Sequence, residues 1–368
     1  MAITASMVKE LRELTGAGMM DCKKALTETN GDMDAAVEVL KKSGAAKAEK
    51  KAARIAAEGI AKVAIDGNTA VVVEVNSETD FVAKNAIFQE FVQAVADKAL
   101  TVDTEKAGDG EDVVSILDMK ADLDDKILKI GEKISIRRFE KVTADVVASY
   151  IHGGGRIGVL VAGNGASDDA AKEALTNIAM QIAAMNPQYI SRDEISADEL
   201  AKMKEITIDS ALNDPFSLPK PVLSKLIEKA VAGVWSAEDV AIYEEKKSNM
   251  NFLPNFLSKE AKAQLAEIAC ADKEEISGNK IFSGLVEGRI SKQMKEICLL
   301  DQVYVKAEDG KQTVAAYLKS VNPALKIAKF VRFEVGEGME KKNEDFAAEV
   351  AAQINGCLLY TSPSPRDY

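Results

Sequence analysis

Residue types that make and break bonds are few in this 368-residue chain, which has one histidine and four cysteines. Cys22, Cys270, Cys298 and Cys357 are scattered with no Cys-x-x-Cys pair, so neither a zinc site nor a disulfide framework is expected and a reducing compartment fits. His152 abuts Gly153-Gly154-Gly155 in the stretch HGGGRIGVLV. A lone turn histidine with no nucleophile beside it reads as a surface residue. The glycines lack the GxxxxGK[ST] spacing of a phosphate loop, and a strand rather than a helix N-terminus follows them, so they read as turn residues. The acidic run DLDD (Asp122 to Asp125) has neither the spacing nor the glycine of a calcium loop and reads as a solvated helix face. Neither an enzyme nor a cofactor is expected.

What remains is the chemistry of contact. In SETDFVAKN (Ser77 to Asn85) a phenylalanine stands beside an acid at a strand-to-helix junction. Thr79 or Asp80 can cap the helix by accepting backbone N–H bonds, and Phe81 is not needed for that. Two readings stay open: Phe81 packs back on its own sheet, the commoner fate of this residue type, or it is held out on a rigid turn to enter a partner. Met19 and Met20 follow the TGAG break, and core packing is their ordinary role. Adjacent helical residues diverge by about 100°, so one of the pair is expected at the surface, where a flexible thioether suits an adaptable interface.

The elements that must position these residues can be read from periodicity. Thr4 to Ala53 holds three short helical patterns broken at Thr15–Gly18 and Thr29–Asp32, each with a narrow apolar face. The Ala/Lys-rich stretch after them reads as a solvated helix leading onward, and contact of its basic cluster with nucleic acid is the less favoured alternative. Next comes a pattern that occurs twice. Ile60 to Asn76 gives two strand-like runs around a turn, followed by the helix IFQEFVQAVADKAL and the strand KISIRRFEKV. Val146 to Gly165, the helix AAKEALTNIAMQIAAM and the strand KIAKFVRFEVGEG repeat it, with a helical interruption before the last strand. The expected fold is α+β: a three-helix domain (1–54), two ββαβ subdomains (55–145; 146–190 with 298–340), an inserted helical hairpin (191–297) and a C-terminal helix (341–356). The tail 357–368, with Pro363 and Pro365, reads as non-native and disordered, since CLLYTSPSPRDY resembles the translation of a sequencing-library adapter.

Charge narrows the partner. Lysine and arginine number 47 against 59 acids, a net charge of -12, so a broad phosphate-binding surface and direct nucleic-acid binding are not expected. Apolar runs fall far short of the roughly 20 residues that span a bilayer, and the N-terminus has the pattern of an amphipathic helix rather than an export signal. A cytoplasmic protein without a membrane partner is expected.

Taken together, TGAGMMDCKKAL, NGDMDAAVEVLKKSG, ETDFVAKN, HGGGRIGVLV, IAAMNP, VEGR and RFEVGEG followed by DFAAEVAAQ resemble bacterial-type translation elongation factor Ts over residues 2–354. The resemblance implies a guanine-nucleotide exchange factor for elongation factor Tu, in its GDP-bound and nucleotide-free states. It also implies a ubiquitin-associated-like N-terminal domain. In that family Phe81 would wedge between helices of the partner's nucleotide domain, with Asp80, Thr79, Val82, Met19, Met20 and His152 as further contacts. The insert is longer than in the compact members of that family, Asp214 to about Asn279 has no counterpart there that can be placed residue by residue, and a homodimer stays open. The alternative is a ubiquitin-associated-like scaffold or adaptor without exchange activity.

Overall fold

The computed structural model describes residues 3–108 and 111–340. The expected C-terminal helix and the tail 357–368 lie outside the described residues. Helix and sheet are mixed, as an α+β fold requires, and the chain forms two compact units. One contains the residues up to Ala184 with those from Val321, and the other is Met185–Ser320.

In the first unit, helices α1 (Ala5–Thr15), α2 (Met19–Glu28) and α3 (Met33–Lys51) close on a small core of Leu11, Cys22, Leu26 and Leu40. Their ends follow from local chemistry. Thr4 and Asp32 cap α1 and α3 through side-chain oxygens, and Gly16 ends α1 at φ 68°, a backbone setting that suits glycine. The Ala/Lys-rich stretch is a correction to the sequence reading. It continues α3 without a break and packs on α7 (Lys120–Ile130) instead of being solvated all round. Gly44 is buried there, where an added Cβ would lie 3.3 Å from the Asp124 carbonyl, and Ala48 reaches the neighbouring core. Small residues one turn apart let the two helix backbones approach. The DLDD run also departs from expectation, because Asp124 is buried and ion-paired with Lys120.

Strands β1 (Glu58–Asp66), β2 (Thr69–Ser77), β3 (Lys106–Ala107) and β4 (Ile134–Thr143) form an antiparallel sheet in the order β1-β2-β4-β3. Strands β5 (Val146–His152), β6 (Ile157–Asn164) and β7 (Lys326–Glu334) form a second, in the order β5-β6-β7. Each hairpin is followed by a short or long helical segment: α4 (Asp80–Ala83) and α5 (Ala86–Thr101) after β2, and α8 (Asp169–Met185) after β6; α6 (Val113–Ile116) precedes α7. The run AVVVEV does not alternate with polar residues because β2 is covered on both faces. Val71, Val73 and Val75 pack with Phe88, Phe91 and Val95 of α5, whereas Ala70 and Val72 pack with Leu160 and Phe333 of the second sheet. Glu74 shares that second face and is fully buried. Arg137 and Arg138 donate to its carboxylate, as do the Asn76 side chain and the Gly336 amide at 2.9 Å, so the buried charge is paired and its lone pairs are occupied.

In the second unit, α9 (Ala197–Asn213), α10 (Lys220–Gly233), α11 (Ala237–Lys246), α12 (Lys259–Ala271), α13 (Lys273–Ser277) and α14 (Lys280–Ile297) surround their own core. It includes Leu226, Trp235, Leu265 and Phe282, and the Trp235 indole donates to the Ala261 carbonyl at 2.9 Å. α9 and α14 pack together, and the entry and exit strands are joined where Leu299 N–H donates to the Tyr189 carbonyl at 2.9 Å. α15 (Val314–Val321), absent from the sequence reading, follows, and Tyr317 stacks on Tyr304 with ring centroids 4.1 Å apart.

Candidate functional site

The junction after β2 is built from the residues singled out above. Phe81 is 79% exposed, which closes the question left open by the sequence: it does not pack on its own sheet. It occupies the second position of α4, a single helical turn fixed by Lys84 N–H to the Phe81 carbonyl (3.2 Å) and Asn85 N–H to the Val82 carbonyl (2.9 Å). Val82, grouped with the contact residues from the sequence, is 7% exposed and belongs to the core with Val75 and Phe88. Its physical part is to pin the turn so that its neighbour stands out. Asn85 then caps α5, accepting from Ile87 N–H at 2.8 Å.

Thr79 departs from the sequence reading. It stands at the N-cap position of α4 but its hydroxyl does not cap that helix. It donates instead to Glu132 Oε1 at 2.8 Å, while the Thr79 amide donates to Glu132 Oε2 at 3.0 Å. The adjacent residues are tied in the opposite sense, because Lys133 N–H donates to Glu78 Oε1 at 2.6 Å. Arg54 pairs with Glu78 at 3.2 Å, and the Lys133 ammonium donates to the carbonyls of Ala52 and Arg54 at 2.7 Å each. The turn is therefore braced by the α7–β4 junction and by the chain just after α3. Sequence reading passed over Glu78 and Glu132, whose partners lie 55 and 53 residues away along the chain.

Asp80 is exposed and accepts from Lys84 Nζ at 2.8 Å, one helical turn away. That hydrogen bond, opposed by desolvation and aided by the ammonium charge and the amides of Asp80 and Phe81, holds its carboxyl below the usual range. The same ammonium lies 5.9 Å from the Phe81 ring centroid, at the outer limit of a cation–π contact. An acid, a cation and an aromatic ring thus project together from one turn.

The other expected contacts lie elsewhere on the first unit. Met19 and Met20 are the first two residues of α2, 56% and 75% exposed. Both are outside the core, where the sequence argument expected only one. His152 is exposed at the end of β5, its Nδ1 3.2 Å from the Tyr150 hydroxyl. Gly153, Gly154 and Gly155 all have positive φ, as a tight hairpin turn requires. Gly155 also ties the turn to the first sheet, since its carbonyl accepts from Ala61 N–H at 2.7 Å and an added Cβ would lie 2.9 Å from that of Ile60. The His152 turn and α4 therefore both rest on β1, whereas Met19 and Met20 stand on α2, which packs on α1 and α3.

Among the described residues no group of three or more histidines, cysteines or acids could hold a metal ion, and no helix is long and apolar enough to cross a membrane. The arrangement can grip a surface, but it offers no nucleophile and base in contact.

A sequence model described as Elongation factor TS matches residues 78–238 and 247–337. The chain is also 42% identical, over 360 residues, to elongation factor Ts of Clostridioides difficile (strain 630), a match that covers 96% of this chain and 99% of the relative. The family match opens at Glu78, on the braced turn itself, and with the near-complete alignment it establishes that the chain belongs to the elongation factor Ts family of translation elongation factors.

Proposed function

We propose that this chain is a guanine-nucleotide exchange factor for elongation factor Tu and that the Asp80–Phe81 turn is its working edge. The observation that carries the reading is an aromatic side chain left 79% exposed on a turn whose neighbour Val82 is buried. Burying Phe81 on its own fold would have contributed about 2 kcal/mol, and its exposure on a braced turn supports contact with another surface.

A G protein holds GDP through phosphate contacts and its own magnesium ion, and release is slow because these must loosen together. A factor that binds the nucleotide-free partner more tightly than the GDP form weakens GDP binding by the same ratio. Phe81, rigid and apolar, enters a crevice between helices at little entropy cost and displaces the elements that hold the magnesium ion. Asp80 meets the partner beside it; Met19, Met20 and His152 add contacts from α2 and the β5–β6 turn. No covalent bond changes, so the chain needs neither cofactor nor metal and is not an enzyme in the chemical sense. It acts in the cytoplasm on another protein, without binding nucleic acid or membrane, and the reading holds for one copy or two. The finer architecture on this reading is a ubiquitin-associated-like domain (1–54), a duplicated core (55–145; 146–190 with 298–340), a helical insert (191–297) and a C-terminal module (341–356).

The test is release of fluorescent GDP from preloaded elongation factor Tu. Stoichiometric addition of the chain is expected to accelerate the decay, and Phe81→Ala to slow it at least tenfold with an unchanged melting curve. An interface aromatic anchor commonly contributes about 2 kcal/mol or more. No acceleration by the intact chain sinks the reading and leaves the scaffold alternative, which a pull-down of ubiquitin-like partners would favour.

A further inference from the structure

Two short segments far apart in sequence grip each other next to the exposed aromatic. Glu132 receives both the amide and the hydroxyl of Thr79, and Glu78 receives the amide of Lys133, so each segment contributes one carboxylate and at least one backbone amide to the other. The Glu132 side chain is only half-buried, and the hydrogen bonds it accepts are of the charge-assisted kind that hold geometry well. It comes directly after Gly131, which ends α7 in the left-handed region at φ 87° and so turns the chain out of the helix. Thr79, in turn, is the last residue before α4 and gives its hydroxyl to Glu132 instead of to that helix. The residue from which α4 starts is thus held by a carboxylate that accepts from Thr79 and not from Asp80 or Phe81.

We propose that Glu132 is a positioning residue for nucleotide exchange, acting through Thr79 to aim the Asp80–Phe81 turn at the partner. This rests on the exchange reading above. Without Glu132 the turn still forms, because its own backbone bonds and buried Val82 remain, but it samples other directions. Each docking event then pays for ordering it again. The loss appears in exchange, not in the melting curve.

The experiment measures fluorescent GDP release from elongation factor Tu with the full chain and its variants, beside melting curves for each. Glu132→Ala is expected to slow release roughly tenfold and Thr79→Val by a similar factor, with the double variant no slower than the worse single one. Thr79→Ser keeps both donors and should restore the wild-type rate, and Glu132→Gln, which keeps one acceptor oxygen, should fall between. In a Phe81→Ala background, Glu132→Ala should add nothing further. The proposal is overturned if Glu132→Ala and Thr79→Val exchange at the wild-type rate while Phe81→Ala is slow, or if Glu132→Ala slows the Phe81→Ala chain as much again. Should Glu132→Ala melt early, Thr79→Val decides alone, and its undiminished rate refutes the idea. Should Phe81→Ala itself exchange normally, the Asp80–Phe81 turn is not the working edge and this proposal falls with it, whereas no acceleration by the intact chain defeats the exchange reading as a whole.

Discussion

The two sheets of the first unit hand the chain on to a long helix in different ways. After β6, four residues suffice: Gly165 donates its amide to Asp145 at 2.9 Å, and Asp168 caps α8 by accepting from Ala171 N–H at 2.8 Å. After β2 the chain takes Glu78 to Asn85, with the extra turn α4 inside, before Asn85 does the same capping work for α5. A strand-to-helix junction needs one cap and a change of direction, and Gly165–Asp168 meets both needs with no exposed aromatic. The residues from Glu78 to Lys84 are therefore surplus to topology. What they add is an exposed Phe81, a charged pair beside it and a brace to Glu132. A surplus that leaves a large apolar side chain in water points to recognition rather than folding.

The strongest way to break this comparison is to set the phenylalanine of the extra turn against the one that follows it. Phe88, fully buried on α5, should cost about 3–5 kcal/mol when changed to Ala, whereas Phe81→Ala should leave the denaturant midpoint in place. Equal losses would mean that Phe81 is a core residue after all. The next effect is functional. Phe81→Ala should reduce the GDP release rate at least tenfold, about 1.4 kcal/mol in barrier, while Asp168→Ala on the plain junction leaves that rate alone. Smaller still are the caps, where Asn85→Ala and Asp168→Ala should each cost about 1 kcal/mol and lower Tm by a few degrees. A much larger loss at either would show that its junction carries more than a cap.

The smallest effect concerns pH. The Lys84 hydrogen bond and charge hold Asp80 below the usual carboxylate range. With the folded pKa depressed, the pair's contribution is present above the unfolded value of about 4 and is lost as pH falls through the folded pKa. Both side chains are well exposed, so screening keeps this contribution slight. Lys84→Met should move the Asp80 carboxyl back up in an NMR titration with little change in stability between pH 6 and 8. An unmoved titration would separate the pair in solution.

Legibility in the sequence followed the range of the interactions. Ile60 to Asn76 announced two strands around a turn, and HGGG announced a hairpin turn, because each signal is carried by neighbouring residues. The exposure of Phe81 was one of two readings, since exposure depends on what the rest of the chain covers. Of the two cap candidates, Thr79 does not cap because its competing acceptor, Glu132, is reached only through the fold. Gly44 and Ala48 passed for a solvated linker for the same reason: α7, against which they pack, has no local signature in α3. Both methionines proved exposed because they open α2 behind Gly18, ahead of the buried Cys22 and Ala25. The 100° argument assumed a helix already packed on one side.

Strand β2 is hydrogen-bonded along both edges, to β1 and β4, and is buried on both faces. Its amides can meet solvent only when the whole unit opens, so they should be among the slowest to exchange hydrogen for deuterium. Three residues beyond its last pair, Ser77 with Ile134, α4 begins with only its own single turn of backbone bonds. Protection must therefore fall from its highest value to near its lowest between Ser77 and Asp80, across two braced residues. A hydrogen-exchange measurement that found Ser77 and Asp80 equally protected would show that the turn and the sheet open together.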